Sequence, residues 1–188
     1  GTGCEVIGVC GKKEDVAKLQ DLLIYITKGI GEIVTKGDIN IEMIPEVNEN
    51  VLKTLFMTIT NANFDYNALE GQICKMIVLR NELKKKISIT ELSDAAIFEF
   101  YTKDEMMAKA IEIGVLATVN EDIRSLRETI IYGIKGMAAY VHHALNLQEE
   151  NIEINKFIYE AMAKVNDDSL TIEDLIALTL KTGEFGVK

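Results

Sequence analysis

One proline and no tryptophan in 188 residues leave this chain short of the punctuation that turn-rich β folds need. Cysteine is scarce as well: Cys4, Cys10 and Cys74 cannot all pair with one another, which excludes a secreted disulfide framework and suits a reducing compartment. Positive charge is outweighed, 20 Lys and Arg against 30 Asp and Glu, and a net charge of −10 repels phosphate backbones. No basic stripe is interleaved with aromatics, so nucleic acid is not an expected partner. No apolar run approaches the ~20 residues that span a bilayer, and no basic segment followed by an apolar one opens the chain. The expectation is a soluble, cytoplasmic protein with no membrane partner. Gly1 is not an initiator methionine, which implies that something upstream was removed.

What is present points to helices. Hydrophobic residues make up 48% of the chain, and Leu, Ile, Ala, Glu and Lys are abundant, so an all-α fold is expected. Residues 1–13 are glycine-rich and read as an irregular loop. From Glu14, Val16, Leu19, Leu22, Leu23, Ile26, Ile30 and Ile33 recur at helical spacing until Gly37 and Asp38. Pro45 suits the first turn of a second helix reaching about Ile59. Asp65 is an expected N-cap, with Phe64 and Leu69 as a hydrophobic staple, for a third helix to about Lys85. Two shorter helices are expected at Glu91–Phe100 and Lys103–Ala117. Asn120 then caps a long helix to about Asn146 whose first turn holds Glu121 and Asp122. Helices at Ile152–Val165 and Ile172–Thr182 follow, the last opened by Thr171 and Asp174, stapled by Leu170 and Leu175, and stopped by Gly183.

The sequence also repeats itself. Leu19, Asp21, Ile24, Tyr25, Lys28 and Gly29 match Leu126, Glu128, Ile131, Tyr132, Lys135 and Gly136 at a constant offset, and Phe64, Asp65 and Leu69 match Leu170, Thr171 and Leu175 one register shift later. The simplest account is two three-helix bundle units, residues 14–87 and 120–188, joined by a short helical segment at 88–119. Each repeated glycine removes a side chain where helices could cross, at a cost of ~1 kcal/mol in helix propensity. The repeated tyrosine and lysine read as apolar bodies with wet tips.

Chemistry is sparse. Cys4 and Cys10 sit among Gly3, Gly8 and Gly11 and precede Lys12 and Lys13. Thiolates bind soft iron, glycines let backbone amides approach cluster sulfurs, and lysines offset negative charge. A lone Cys-x5-Cys is still weak: two cysteines make half a metal site, and on spacing alone two ordinary reduced thiols are the favoured reading over metal binding. Cys74 falls on an expected helix and reads as a small core residue. His142 and His143 point about 100° apart on a helix and cannot chelate from one face. No P-loop, dinucleotide-binding glycine pattern, Glu-x-x-His pair or serine nucleophile elbow is present.

Longer strings carry a resemblance. Gly1-Thr2-Gly3-Cys4, Gly8-Val9-Cys10-Gly11-Lys12, Leu19 to Tyr25, Thr60 to Asp65, Glu121 to Glu128, Tyr132 to Tyr140 and Thr182 to Gly186 together resemble, in order along the chain, the start of hydroxylamine reductases of the hybrid-cluster (prismane) type. The resemblance implies an oxidoreductase that reduces hydroxylamine or related nitrogen oxides such as nitric oxide. It also implies that Cys4 and Cys10 are the third and fourth ligands of a 4Fe-4S cluster. The first two would come from an upstream Cys-x2-Cys pair that this sequence does not contain. The hybrid iron–sulfur–oxygen cluster would belong to later domains, so this portion by itself is expected to lack a complete cluster and activity. Implied partners are those C-terminal catalytic domains, a reductase that donates electrons, and another copy of the chain. The alternatives are a stand-alone helical interaction or dimerisation module and a portion of a carbon monoxide dehydrogenase-like protein.

Overall fold

The computed structural model describes residues 10–147 and 151–188, and among them every regular element is helical. Eight α-helices follow one another: α1 (Glu14–Lys36), α2 (Pro45–Met57), α3 (Tyr66–Lys84), α4 (Asp94–Ile97), α5 (Lys103–Glu112), α6 (Glu121–Asn146), α7 (Ile152–Val165) and α8 (Ile172–Phe185). Short 3-10 turns lie at Ile41–Met43 and Val115–Ala117. The all-α expectation holds.

The helix starts follow from side-chain caps. Asp65 accepts from the amides of Asn67 and Ala68, and Asn120 from those of Asp122 and Ile123, each meeting donors that a helix leaves unpaired. Thr171 and Asp174 form a reciprocal capping box, as does the pair Thr102 and Glu105 at the start of α5. At the other end of α1, it is Asp38 and not Gly37 that takes the left-handed backbone, at φ 47°.

Helix α1 is the central element. Between Leu22 and Val34 every residue except Tyr25 and Lys28 is buried, so this helix is covered nearly all round, and not along one stripe. It packs against α2, α3, α4, α5 and α7. Glycine makes two of these crossings possible. A Cβ on Gly29 would stand 2.1 Å from the Ala95 carbonyl oxygen, and one on Gly31 would stand 2.8 Å from that of Tyr159. Leu19, Leu22, Leu23, Ile26, Ile30 and Ile33 lose all their accessible surface, each contributing roughly 1.5–3 kcal/mol to folding.

The packing pattern has a symmetry. Helix α1 contacts α2 and α3, and α2 contacts α3; likewise α6 contacts α7 and α8, and α7 contacts α8. Across the halves α1 packs on α7 and α2 on α6. Exchanging α1 with α6, α2 with α7 and α3 with α8 leaves this pattern unchanged. Helices α4 and α5 stand outside it, both lying on α1. One buried apolar cluster takes residues from both halves.

Four local expectations need correction. The helix expected at Glu91–Phe100 shrinks to Asp94–Ile97, because its flanking backbone finds partners elsewhere. The Ser93 amide donates to the Glu32 carboxylate at 3.0 Å, and the Arg80 guanidinium donates to the Phe98 carbonyl at 2.5 Å. The helix expected to reach Ala117 ends at Glu112, where Gly114 separates α5 from the 3-10 turn. Helix α8 continues through Gly183, whose Cβ position is open, to a cap at Gly186. Cys74 is exposed: the buried stripe of α3 runs through Leu69, Ile73, Met76, Leu79 and Leu83, and Cys74 is turned about 100° from Ile73.

Candidate functional site

Cys4 lies outside the described residues. Cys10 is exposed in the turn before α1, followed by Gly11 at φ 86° with open space where a Cβ would be. The turn is tied down by Lys12, whose ammonium donates to Gln20 Oε1 at 2.7 Å and lies 5.6 Å from the Phe64 ring centre. Gln20 in turn donates to the Asn63 carbonyl at 3.1 Å, which links the start of α1 to the α2–α3 connection. Among the described residues, no group of three or more His, Cys, Asp or Glu side chains is arranged to hold a metal ion. Of the two cysteines singled out from the sequence, Cys10 is thus the one whose surroundings are described. His142 stacks on Phe56 at 5.4 Å between ring centres and His143 meets the same ring edge-on at 5.7 Å.

The repeated residues assemble something that their spacing alone did not announce. Asp21, Ile24 and Lys28 fall at i, i+3 and i+7 on one face of α1, and Glu128, Ile131 and Lys135 fall at the same positions on α6. All six line one cavity of ≈ 70 Å³, roofed by Ile113 to Thr118, with Arg124 and Arg127 completing its wall. Both lysines are half-buried, their stems passing into a gap that the repeated helices line, with the Lys135 ammonium tied to the Thr58 carbonyl.

The electrostatics follow from that enclosure. Burial pushes the Asp21 carboxyl up to about 6, and Glu128 adds to the rise while Lys135, Lys28 and Lys12 oppose it. Burial pushes Lys28 down, and the Arg127 guanidinium beside it pushes further, against Glu128, Asp21 and Asp168. Lys135 is likewise pushed down by burial, with Asp21 and Glu128 opposing. The cations are held mostly by backbone oxygens. Arg124 donates to the Thr118 carbonyl at 2.9 Å, Lys135 to that of Thr58 at 3.2 Å, and Arg127 to that of Asp167 at 2.9 Å. Arg127 also pairs with the highly exposed Asp168 at 2.9 Å, while its buried Nε has no hydrogen-bond partner. Among the described residues, Lys28 Nζ has no hydrogen bond and no ion pair.

The repeated tyrosines and glycines behave differently in the two halves. Tyr25 donates to Asp94 Oδ2 at 2.5 Å, and burial together with that bond pushes its phenol up. Gly29 sits beneath the Ala95 backbone. Tyr132, by contrast, is 74% exposed and Gly136 has nothing within 4 Å of its Cβ position. Sequence reasoning singled out the repeat but missed Arg124, Arg127 and the Ile113–Thr118 roof, none of which the repeat contains. The acid–Ile–Lys spacing on two helices was the signal available for the cavity.

Comparison with known proteins decides the family. The sequence model of the Prismane/CO dehydrogenase family matches residues 1–188, the whole chain. The chain belongs to the Prismane/CO dehydrogenase family. Within that family it is 58% identical over 188 residues to the hydroxylamine reductase of Acetivibrio thermocellus, covering 100% of this chain and 35% of that protein. It is 47% identical over 192 residues to the hydroxylamine reductase of Clostridium perfringens, covering 98% and 35%. With the hydroxylamine reductase of Desulfovibrio desulfuricans it shares 46% identity over 187 residues, covering 98% and 34%. The chain thus spans about a third of the length of the curated relatives it matches. No helix among the described residues is long and apolar enough to cross a membrane.

Proposed function

We propose that this chain is the amino-terminal helical portion of a hydroxylamine reductase of the hybrid-cluster type. In full length such a protein is an iron–sulfur oxidoreductase acting on hydroxylamine or a related nitrogen oxide such as nitric oxide, supplied with electrons by a separate reductase. The observation that carries this reading is the 58% identity, across the whole chain, to a protein named hydroxylamine reductase. The names of the relatives favour this side of the family over a carbon monoxide dehydrogenase. In this reading Cys4 and Cys10 supply two thiolates to a 4Fe-4S cluster whose remaining ligands lie upstream, and the hybrid cluster belongs to later domains. The 188-residue chain then carries half of one cluster site and no activity of its own. The test is anaerobic reconstitution of the longer gene product. Iron binding with broad visible absorption, lost in Cys10→Ser, is expected; an iron-free, colourless longer protein refutes the cluster assignment.

The symmetric packing of α1–α3 and α6–α8 supports a division into two three-helix units, 14–87 and 120–188, joined by 88–119 and preceded by the cysteine loop at 1–13. It also supports a docking role for α6. The face of α1 bearing Tyr25 and Gly29 is covered by α4, whereas Tyr132 and Gly136 on α6 are open. Beside them Thr58, Ile59 and Thr60 complete a hollow of ≈ 130 Å³. Tyr140, 81% exposed, extends the stripe. In the intact protein this face is covered by its other domains, and in the isolated chain it drives self-association. Light scattering over a range of concentrations should show mass rising with concentration, and less so for Tyr132→Lys; a monomer at all concentrations refutes the docking role.

A further inference from the structure

The cavity between the repeated helices is lined by two cationic side chains that each keep a donor without a hydrogen bond among the described residues. Lys28 Nζ has no hydrogen bond or ion pair among the described residues, and Arg127 Nε is buried without a partner. Both line the same ≈ 70 Å³ cavity, together with Arg124, whose guanidinium donates to the Thr118 carbonyl. Lys28 Nζ reaches the cavity space, where an acceptor would complete its hydrogen bonding, while the neighbouring Arg127 Nε is shut in and unbonded. Glu128 faces the same space without reaching ion-pair distance of either cation. The wall carries four cations, Lys28, Arg124, Arg127 and Lys135, against two carboxylates, Asp21 and Glu128, and Lys12 adds positive charge from beside Asp21.

We propose that the cavity between α1 and α6 binds a compact oxyanion, to which Lys28 Nζ and the Arg124 guanidinium donate at the end of the cavity roofed by Ile113 to Thr118. With Arg127 already paired to Asp168, one positive charge is left in excess, which matches a monoanion such as dihydrogen phosphate or a carboxylate. The volume sets the size: it holds a few waters or one anion of four or five heavy atoms, and nothing as large as a nucleotide. Arginine and lysine together suit such a ligand, the guanidinium giving fixed donors and the ammonium a point charge. Apolar cover from Ile24, Ile113 and Ile131 keeps the contact from being fully screened by solvent.

The site does not depend on the iron–sulfur reading, so its test stands apart from that one. Isothermal titration of the 188-residue chain with inorganic phosphate and, separately, with acetate, at constant ionic strength maintained by chloride, should give saturable one-site binding for at least one of them. Phosphate alone identifies an inorganic oxyanion, acetate alone a carboxylate. Lys28→Met keeps the apolar stem and removes the charge, and Arg124→Gln shortens the opposite donor. Each should weaken binding about tenfold or more, the effect of losing one charged hydrogen bond. Lys181→Met, which alters a surface lysine paired with Glu160, should bind as the parent does. Thermal unfolding of each variant confirms that it is folded before its titration is read. Absence of saturable heat from both anions, or a folded Lys28→Met that binds like the parent, overturns the proposal.

Discussion

Asp21→Asn should stabilise this protein at high pH and do little at low pH. The Asp21 carboxyl titrates at about 6 in the folded chain, against 3.8 for the free side chain, because burial in the cavity and the neighbouring Glu128 disfavour its charge. Between those two values the folded state holds the proton that the unfolded state has released, so stability falls as pH rises from about 4 to about 6. Above pH 6 the penalty is complete, and at 1.36 kcal/mol per pH unit it amounts to roughly 3 kcal/mol. Water entering the cavity softens that figure, so an observed gain of about 1–3 kcal/mol at pH 8 is expected for the asparagine variant. Nearly all of it should vanish by about pH 4, where the carboxyl is neutral in both states. Urea unfolding followed by helical circular dichroism, on both proteins across that range, measures the difference directly. A gain that is independent of pH, or a variant less stable than the parent at pH 8, refutes the assignment of Asp21 as a buried, strained charge.

The two matched glycines should part company on substitution. Gly29→Ala drives a Cβ to 2.1 Å from the Ala95 carbonyl oxygen and should cost about 1–3 kcal/mol in urea unfolding, whereas Gly136→Ala meets open space and should gain up to about 1 kcal/mol in helix propensity. Glu32 offers a second pH-dependent contrast, of opposite sign to Asp21. Burial pushes its carboxyl up, but hydrogen bonds from Lys36 and from the Ser93 hydroxyl and amide outweigh that and hold it below the ordinary range. Glu32→Gln should therefore cost about 1–3 kcal/mol at neutral pH, with the cost shrinking as pH falls through the carboxylate range.

Most of the helical framework was legible because each signal was local. The Asp65, Asn120 and Thr171 caps are formed as their side chains and spacing suggest, and the periodicity of α1, α3, α6 and α7 fixes their spans closely. What failed did so where a distant group intervened. Residues 91–100 have helical spacing, yet Glu32 on α1 and Arg80 on α3 claim the backbone at either end of α4, and no local pattern announces that. Cys74 was read as core on residue type, whereas the α3 stripe leaves its position outside. The candidate site shows the same division. Cys4 and Cys10 stand out by residue type, while the cavity depends on two helices about a hundred residues apart turning their matched residues toward one space, which spacing within either one cannot reveal.

The repeat is most informative where its halves diverge. A tyrosine four residues before a glycine makes a face on α1 and again on α6. On α1 that face receives the α4 turn: Asp94 takes the Tyr25 hydroxyl, and the Ala95–Ala96 backbone enters the space that Gly29 leaves. Lys109 on α5 then pairs with Asp94 at 3.0 Å and anchors the covering segment. Helix α6 presents the same face without such a cover among the described residues. If the glycine served only the helix, its cost of ~1 kcal/mol would bring nothing at Gly136. Read through its counterpart, that cost has a use, since an open glycine beside a tyrosine hydroxyl accepts a small-residue helical turn whose first residue is acidic. Asp94-Ala95-Ala96 is such a turn. The partner that covers α6 is therefore expected to present similar chemistry, and Gly136→Ala, harmless in this chain, should weaken its docking.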